Sequence, residues 1–194
     1  MYPTESFLYK LYQEKDEVRV YVGHCSKETY GLPEKQDYHS SRYGTPAEYT
    51  RKNFKSDLKE IMLKERPDTI FTTSQEDMHG DHSGLFLFVK EILSEQTDYH
   101  PKLYSGVVHS KAGDENWPER KAKVFSCPIG FDDGTLQWKD RICFPVPEDM
   151  ISEDFTKNKK VQALEQHVNA LKPDAVDFLY SFITSEELFW EITY

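Results

Sequence analysis

A chain of 194 residues that is 38% hydrophobic, with twelve Phe, twelve Tyr and three Trp, has the apolar material for one substantial core and is too aromatic to be disordered. No apolar run approaches the ~20 residues that a membrane-spanning helix needs. The formal charge of −10, from 24 Lys plus Arg against 34 Asp plus Glu with no basic stripe, argues against a nucleic-acid partner. The widely spaced Cys25, Cys127 and Cys143 form neither a zinc knuckle nor a disulfide framework, and the first twenty residues lack the features of a signal peptide. A cytoplasmic protein of one domain, residues 1–194, is expected.

In chain order, the β-branched run Val18–Val22 reads as a short strand. Residues 23–45 show no regular period and read as a long loop. Thr45-Pro46-Ala47-Glu48 has the form of a capping box with Pro at the first helical position. Phe54, Leu58, Ile61 and Met62 then recur at helical spacing, and Pro67 ends that helix near Arg66. Asp68–Thr72 reads as a strand, the polar turn SQEDMHGDHSG follows, and Leu85, Phe88, Val89, Ile92 and Leu93 mark a buried helix. Lys102–His109 reads as another strand.

This alternation of strand and helix predicts an α/β domain with a mostly parallel sheet. Beyond Ser110 the pattern loosens. Short strands are expected at Ala122–Cys127 and Arg141–Val146, a helix carrying Val161, Leu164, Val168 and Leu171 up to Pro173, and a last helix from Ala175 to about Trp190.

The chemistry-bearing residues are Asp77-Met78-His79-Gly80-Asp81-His82, just past the end of a predicted strand and just before a helix. Ligands bind at such places in open α/β sheets. Two imidazoles and two carboxylates suit a transition metal, since a neutral His ligates zinc and a carboxylate fixes the tautomer of a neighbouring ring. Asp81 is also placed to cap the following helix, and the same string is what a plain polar loop with a capping Asp and solvated histidines would show.

RPDTIFTTSQEDMHGDHSGLFLFVKEIL resembles the second signature of the PIG-L/LmbE family of zinc-dependent deacetylases. VVHSKAGDENWPE looks like the family's strand ending in a His followed by Trp-Pro, and KKVQALEQH with FLYSFITSEELFW is similar to its closing pattern. The likeness runs from Thr45 to Trp190, with Gly80 where the family usually has Pro. It implies a Rossmann-like three-layer sandwich and hydrolysis of the N-acetyl amide of an amino sugar or related conjugate, with one Zn2+. By the same likeness His82 is the zinc ligand, His79 the oxyanion stabiliser or general acid, and Asp81 the residue that orients His79. The alternative is a non-catalytic family member that binds a sugar or a protein.

The family's other motif, A-H-P-D-D-E, supplies the remaining ligands and the general base and has no counterpart here. In the nearest string, Gly23-His24-Cys25-Ser26-Lys27, Ser26 and Lys27 stand where the base and a ligand belong, and His24 reads as an ordinary loop residue. FLYKLYQEKDEVRVYV fits better as the family's first helix leading into its second strand, which would put the first strand upstream of Met1 and leave an exposed edge open to homo-oligomerisation. Asp37 and His39 are ligands by residue type only. His109, at the end of a strand, reads as a hydrogen-bonded wall residue, with a place in the pocket as the alternative. His167 reads as structural, and Trp117, Trp138 and Trp190 as core or lid packing, with Trp117-Pro118 at the pocket entrance as the alternative. Lys157–Lys160 reads as a solvated turn, and Glu186 with Glu187 as helix-capping acids without chemistry.

Overall fold

A computed structural model describes residues 6–173 and 175–194, and its contacts divide into two units, one running to Leu103 and taking in Ile192–Tyr194, the other Tyr104–Glu191. The class is mixed α/β, with four strands in the order β1-β2-β4-β3: β1 Thr69–Thr73, β2 Lys102–Gly106, β3 Ile142–Pro145 and β4 Glu186–Ile192. The sheet is mixed rather than mostly parallel, because β3 and β4 run antiparallel, with Ile142 opposite Phe189 and Pro145 opposite Glu186. No helix among the described residues is long and apolar enough to cross a membrane.

The first unit is built from α1 (Phe7–Gln13), α2 (Tyr38–Tyr43), α3 (Arg51–Glu65), β1 and α4 (Gly80–Ser94). The helix α3 begins later than the capping box at Thr45 predicts, with Thr50 as N-cap accepting from the Asn53 N–H at 3.1 Å. The box residues are spent on an extended pairing instead: Ala47 donates to the Thr29 hydroxyl, Thr29 donates back to the Ala47 carbonyl, and Glu48 bridges Glu28. Pro67 ends the helix as expected, with Arg66 in the left-handed region at φ 41. Its guanidinium, over the Tyr99 ring and bonded to the Asp98 carbonyl, helps hold that conformation.

The core packs Met62, Phe86, Val89, Ile92, Leu93, Tyr99 and Leu103 together, with Ile70 and Ile192 against them. The short helix α1 crosses α4 at Gly84, where an added Cβ would sit 2.6 Å from the main chain of Leu8 and Tyr9, so the approach requires glycine. Arg51 and Lys55 of α3 reach Glu91, and Lys55 reaches Glu95 at 2.6 Å, which ties α3 to α4. The run Val18–Val22 does not become a strand. Among the described residues, Tyr21 makes this run's one main-chain bond to another segment, to the Tyr49 carbonyl, and Val18, Val20 and Val22 are exposed.

The second unit holds most of β2 and β4, all of β3, and the short helices α5 (Lys159–Leu164) and α6 (Val176–Tyr180). No strand forms at 122–127, where the Lys123 carbonyl accepts from Ser185 and the Phe125 N–H donates to the Glu186 carboxylate without a ladder between them. The helix expected through Leu171 stops at Leu164, and the one expected to run to Trp190 stops at Tyr180. Its remainder is β4, where Leu188 and Trp190 are both buried and Glu187 and Phe189 are less so. Residues two apart lie about 200° apart on a helix but share one face of a strand, so burying both favours the strand. Trp190 stacks on Phe131 at 4.8 Å and donates to the Gln137 carbonyl; Trp117 is buried beside Phe125 and Phe182 and donates to the Ser126 carbonyl. These rings are packing residues.

Candidate functional site

The turn between β1 and α4 is fixed from below by small polar groups. Thr73 donates its hydroxyl to the His82 carbonyl at 2.7 Å, Ser74 accepts at its hydroxyl from the Glu76 N–H, and its carbonyl accepts from Asp77. Asp77 is 1% exposed. Its Oδ1 accepts from the His79 N–H at 2.8 Å, an Asx turn that sets where His79 begins the helix. A carboxylate this deep needs partners, because burying an unpaired charge is costly.

The second partner is His82. Its Nδ1 lies 3.1 Å from Oδ2 of Asp77, an ion-pair distance, although the angle is too bent for a well-aligned hydrogen bond. A lone pair facing a carboxylate at that distance would be repelled, so a proton belongs on Nδ1; in the neutral ring Nε2 is then the acceptor. His79 is arranged the other way. As N-cap of α4 it accepts at Nδ1 from the Asp81 N–H at 3.3 Å, so the proton of its neutral ring belongs on Nε2. The two rings lie side by side, 4.9 Å between centroids and tilted by 38°. One turn of backbone thus carries two imidazoles with opposite proton placements.

Asp81 meets His79 through its main chain, while its Oδ1 accepts from the Leu8 N–H at 2.8 Å, at the start of α1. The carboxylate therefore caps a neighbouring helix. Asp77 is the orienting acid that the motif's spacing did not single out; the readable signal was D-x-H, the spacing of an Asx turn directly after a strand.

The other candidates are engaged elsewhere. His24 is exposed. Asp37 caps α2 through the Ser40 N–H, and His39 pairs with Asp57 at 2.9 Å. In the second unit His109 pairs with Asp114 at 2.9 Å and stacks on Phe178. His167 lies exposed past the end of α5, and Glu187 pairs with Lys160. The three cysteines are free and exposed.

Among the described residues, no group of three or more His, Cys, Asp or Glu is assembled to hold a metal ion. His82, backed by a buried acid, has the form of a single zinc donor, but a catalytic zinc takes three protein ligands. The described residues do not furnish that set.

No protein-family model, no curated protein and no solved structure matches the chain.

Proposed function

We propose that this chain is a PIG-L/LmbE-like domain whose Asp77–His82 turn is the histidine half of an amide-hydrolase site, acting on the N-acetyl group of an amino sugar or a related small conjugate. The proposal includes a Rossmann-like three-layer arrangement around the mixed sheet. The opposite proton placement on His79 and His82 carries the reading. Amide hydrolysis needs a donor toward the oxygen on which negative charge develops and a basic nitrogen fixed nearby, and the turn offers one of each. Nε2–H of His79 is the donor, with Asp81 N–H holding its ring. Nε2 of His82 is the acceptor, with Asp77 behind it. Zinc, in the family, supplies the activated water; in this chain His82 would be one of its ligands, and the described residues do not complete the set.

The test is acetate release from N-acetylglucosamine derivatives by the purified chain with Zn2+ present, together with His79→Ala and His82→Ala. The reading expects measurable release that falls by at least about a hundredfold in each variant, the usual scale for one acid–base or oxyanion group. Absence of release from the unmodified chain contradicts it. The incomplete ligand set favours a second reading, a non-catalytic relative that binds an N-acetylated sugar or a protein. That reading expects saturable binding without acetate and no response to His82→Ala.

A further inference from the structure

We propose that the short helix α1 is the positioning element of the Asp77–His82 turn, and that Gly84 of α4, which lets α1 approach, is a positioning residue for His79. The catalytic consequence rests on the hydrolase reading; the geometric part does not. The first turn of α4 is weak on its own. Gly80 opens it and Gly84 follows one turn later, and only proline is a poorer helix former than glycine. The leading N–H groups of a helix have no partner within it. Asp81 N–H is one of them, and it donates to Nδ1 of His79 at 3.3 Å, long for such a bond and made to a side chain outside the usual capping set. Asp77 holds the His79 main chain and Thr73 the His82 carbonyl, which fixes the entry to the turn; the Asp81 side chain is held by α1.

The Leu8 N–H donates to Oδ1 of Asp81 at 2.8 Å, where Ser6, the N-cap of α1, offers no side-chain cap. One bond thus caps α1 and fixes Asp81. At Gly84 the two main chains come so close that a Cβ would lie 2.6 Å from the carbonyl carbon of Leu8 and the nitrogen of Tyr9. Further along, the Tyr12 ring meets Phe88 edge-on at 5.2 Å between centroids, and Arg51 joins the Tyr12 carbonyl to Glu91 of α4. α1 is therefore docked along α4 from Asp81 to Glu91, and Asp81 is where that docking enters the turn. With α1 in place, Asp81 holds its N–H toward the His79 ring. With α1 displaced, the glycine-opened turn frays and the ring loses that hold. Nε2–H of His79 then no longer keeps one direction, which an oxyanion donor requires. His82, held by Asp77 and Thr73, keeps its place.

Amide hydrogen exchange on the full chain reads both ends of this connection, through the N–H groups of Leu8 and Asp81, with the His79 N–H bonded to Asp77 as internal reference. Gly84→Ala is expected to lower protection at Leu8 and Asp81 together, by about tenfold, and to leave His79 within about twofold of the parent. Asp81→Ala is expected to lower protection at Leu8 and at residue 81 in the same way. Asp81→Asn, which keeps an acceptor for Leu8, is expected to restore most of it. This pair decides the matter should Gly84→Ala fail to fold. In acetate release the expected change for Gly84→Ala is a kcat lower by roughly tenfold to a hundredfold with KM little changed. Protection kept at residue 81 while Leu8 loses it, in either variant, overturns the inference. So does a Gly84→Ala chain that keeps both, or one that releases acetate at the parent rate. If the parent releases none, the hydrolase reading fails by itself and exchange alone decides the positioning role.

Discussion

Asp77 and Asp81 carry the same carboxylate four residues apart and do different work. Asp77 is enclosed and holds the His79 main chain and the His82 ring. Asp81 reaches away to the first turn of α1, where a negative charge also meets the positive end of the helix. Asp81→Ala is therefore expected to cost about 1 kcal/mol of stability, the usual loss for a helix cap, measured by urea unfolding. A variant as stable as the parent would contradict the capping role. Gly80 is the first helical residue of α4, and the preceding His79 has φ −89 and ψ 117, values that a residue before proline readily adopts. Gly80→Pro is expected to raise stability by roughly 0.5–1 kcal/mol through loss of unfolded-state freedom. A fall in the unfolding midpoint would show that the first turn of α4 has no room for the ring.

At the scale of elements, the α3–α4 pair is joined by charge as well as by its apolar face. Burial pushes the Glu91 carboxyl up, but hydrogen bonds from Lys55 and Arg51 outweigh it and hold the group below the ordinary glutamate range. Glu95 is held low chiefly by its hydrogen bond from Lys55. A carboxyl with a depressed folded-state pKa contributes stability above its unfolded value of about 4.3, and that contribution is lost as pH falls through the lower, folded value. Urea unfolding followed downward from pH 6 is expected to show a loss of stability below about pH 4, made shallower by Glu91→Gln. An acid limb unchanged in that variant would contradict the assignment.

β1 and α4 were legible in the sequence because both are bounded by strong local signals, Pro67 before the strand and a long apolar run after the turn. The element after α6 was not. FITSEELFW reads as a continuation of the helix expected from Ala175, but burial of both Leu188 and Trp190 selects the two-residue period. Val18–Val22 failed the opposite way: strand propensity is real there, but no neighbouring chain is hydrogen-bonded along its length, and propensity alone makes no sheet.

On the scale of the whole molecule, the α/β class was readable from the alternation of elements, whereas the mostly parallel sheet expected with it is a mixed one, and the structure brings only some of the motif-like residues together. Asp77, His79 and His82 are joined by direct contacts, which their closeness in sequence made readable. The roles of the two acids depended on which atom each carboxylate faces, and no spacing encodes that. Asp37 and His39 were matched on residue type and His109 on the likeness to the family's strand ending in a His, and each has another partner, the Ser40 N–H, Asp57 and Asp114 respectively. The hydrolase reading rests on two imidazoles holding their protons on opposite nitrogens. Long-range 1H–15N correlation spectra of the histidine side chains measure this directly. The expected result is His82 protonated at Nδ1 and His79 at Nε2, with Asp77→Asn moving the His82 proton to Nε2. Two rings in the same tautomer, or a His82 ring indifferent to Asp77→Asn, would contradict it.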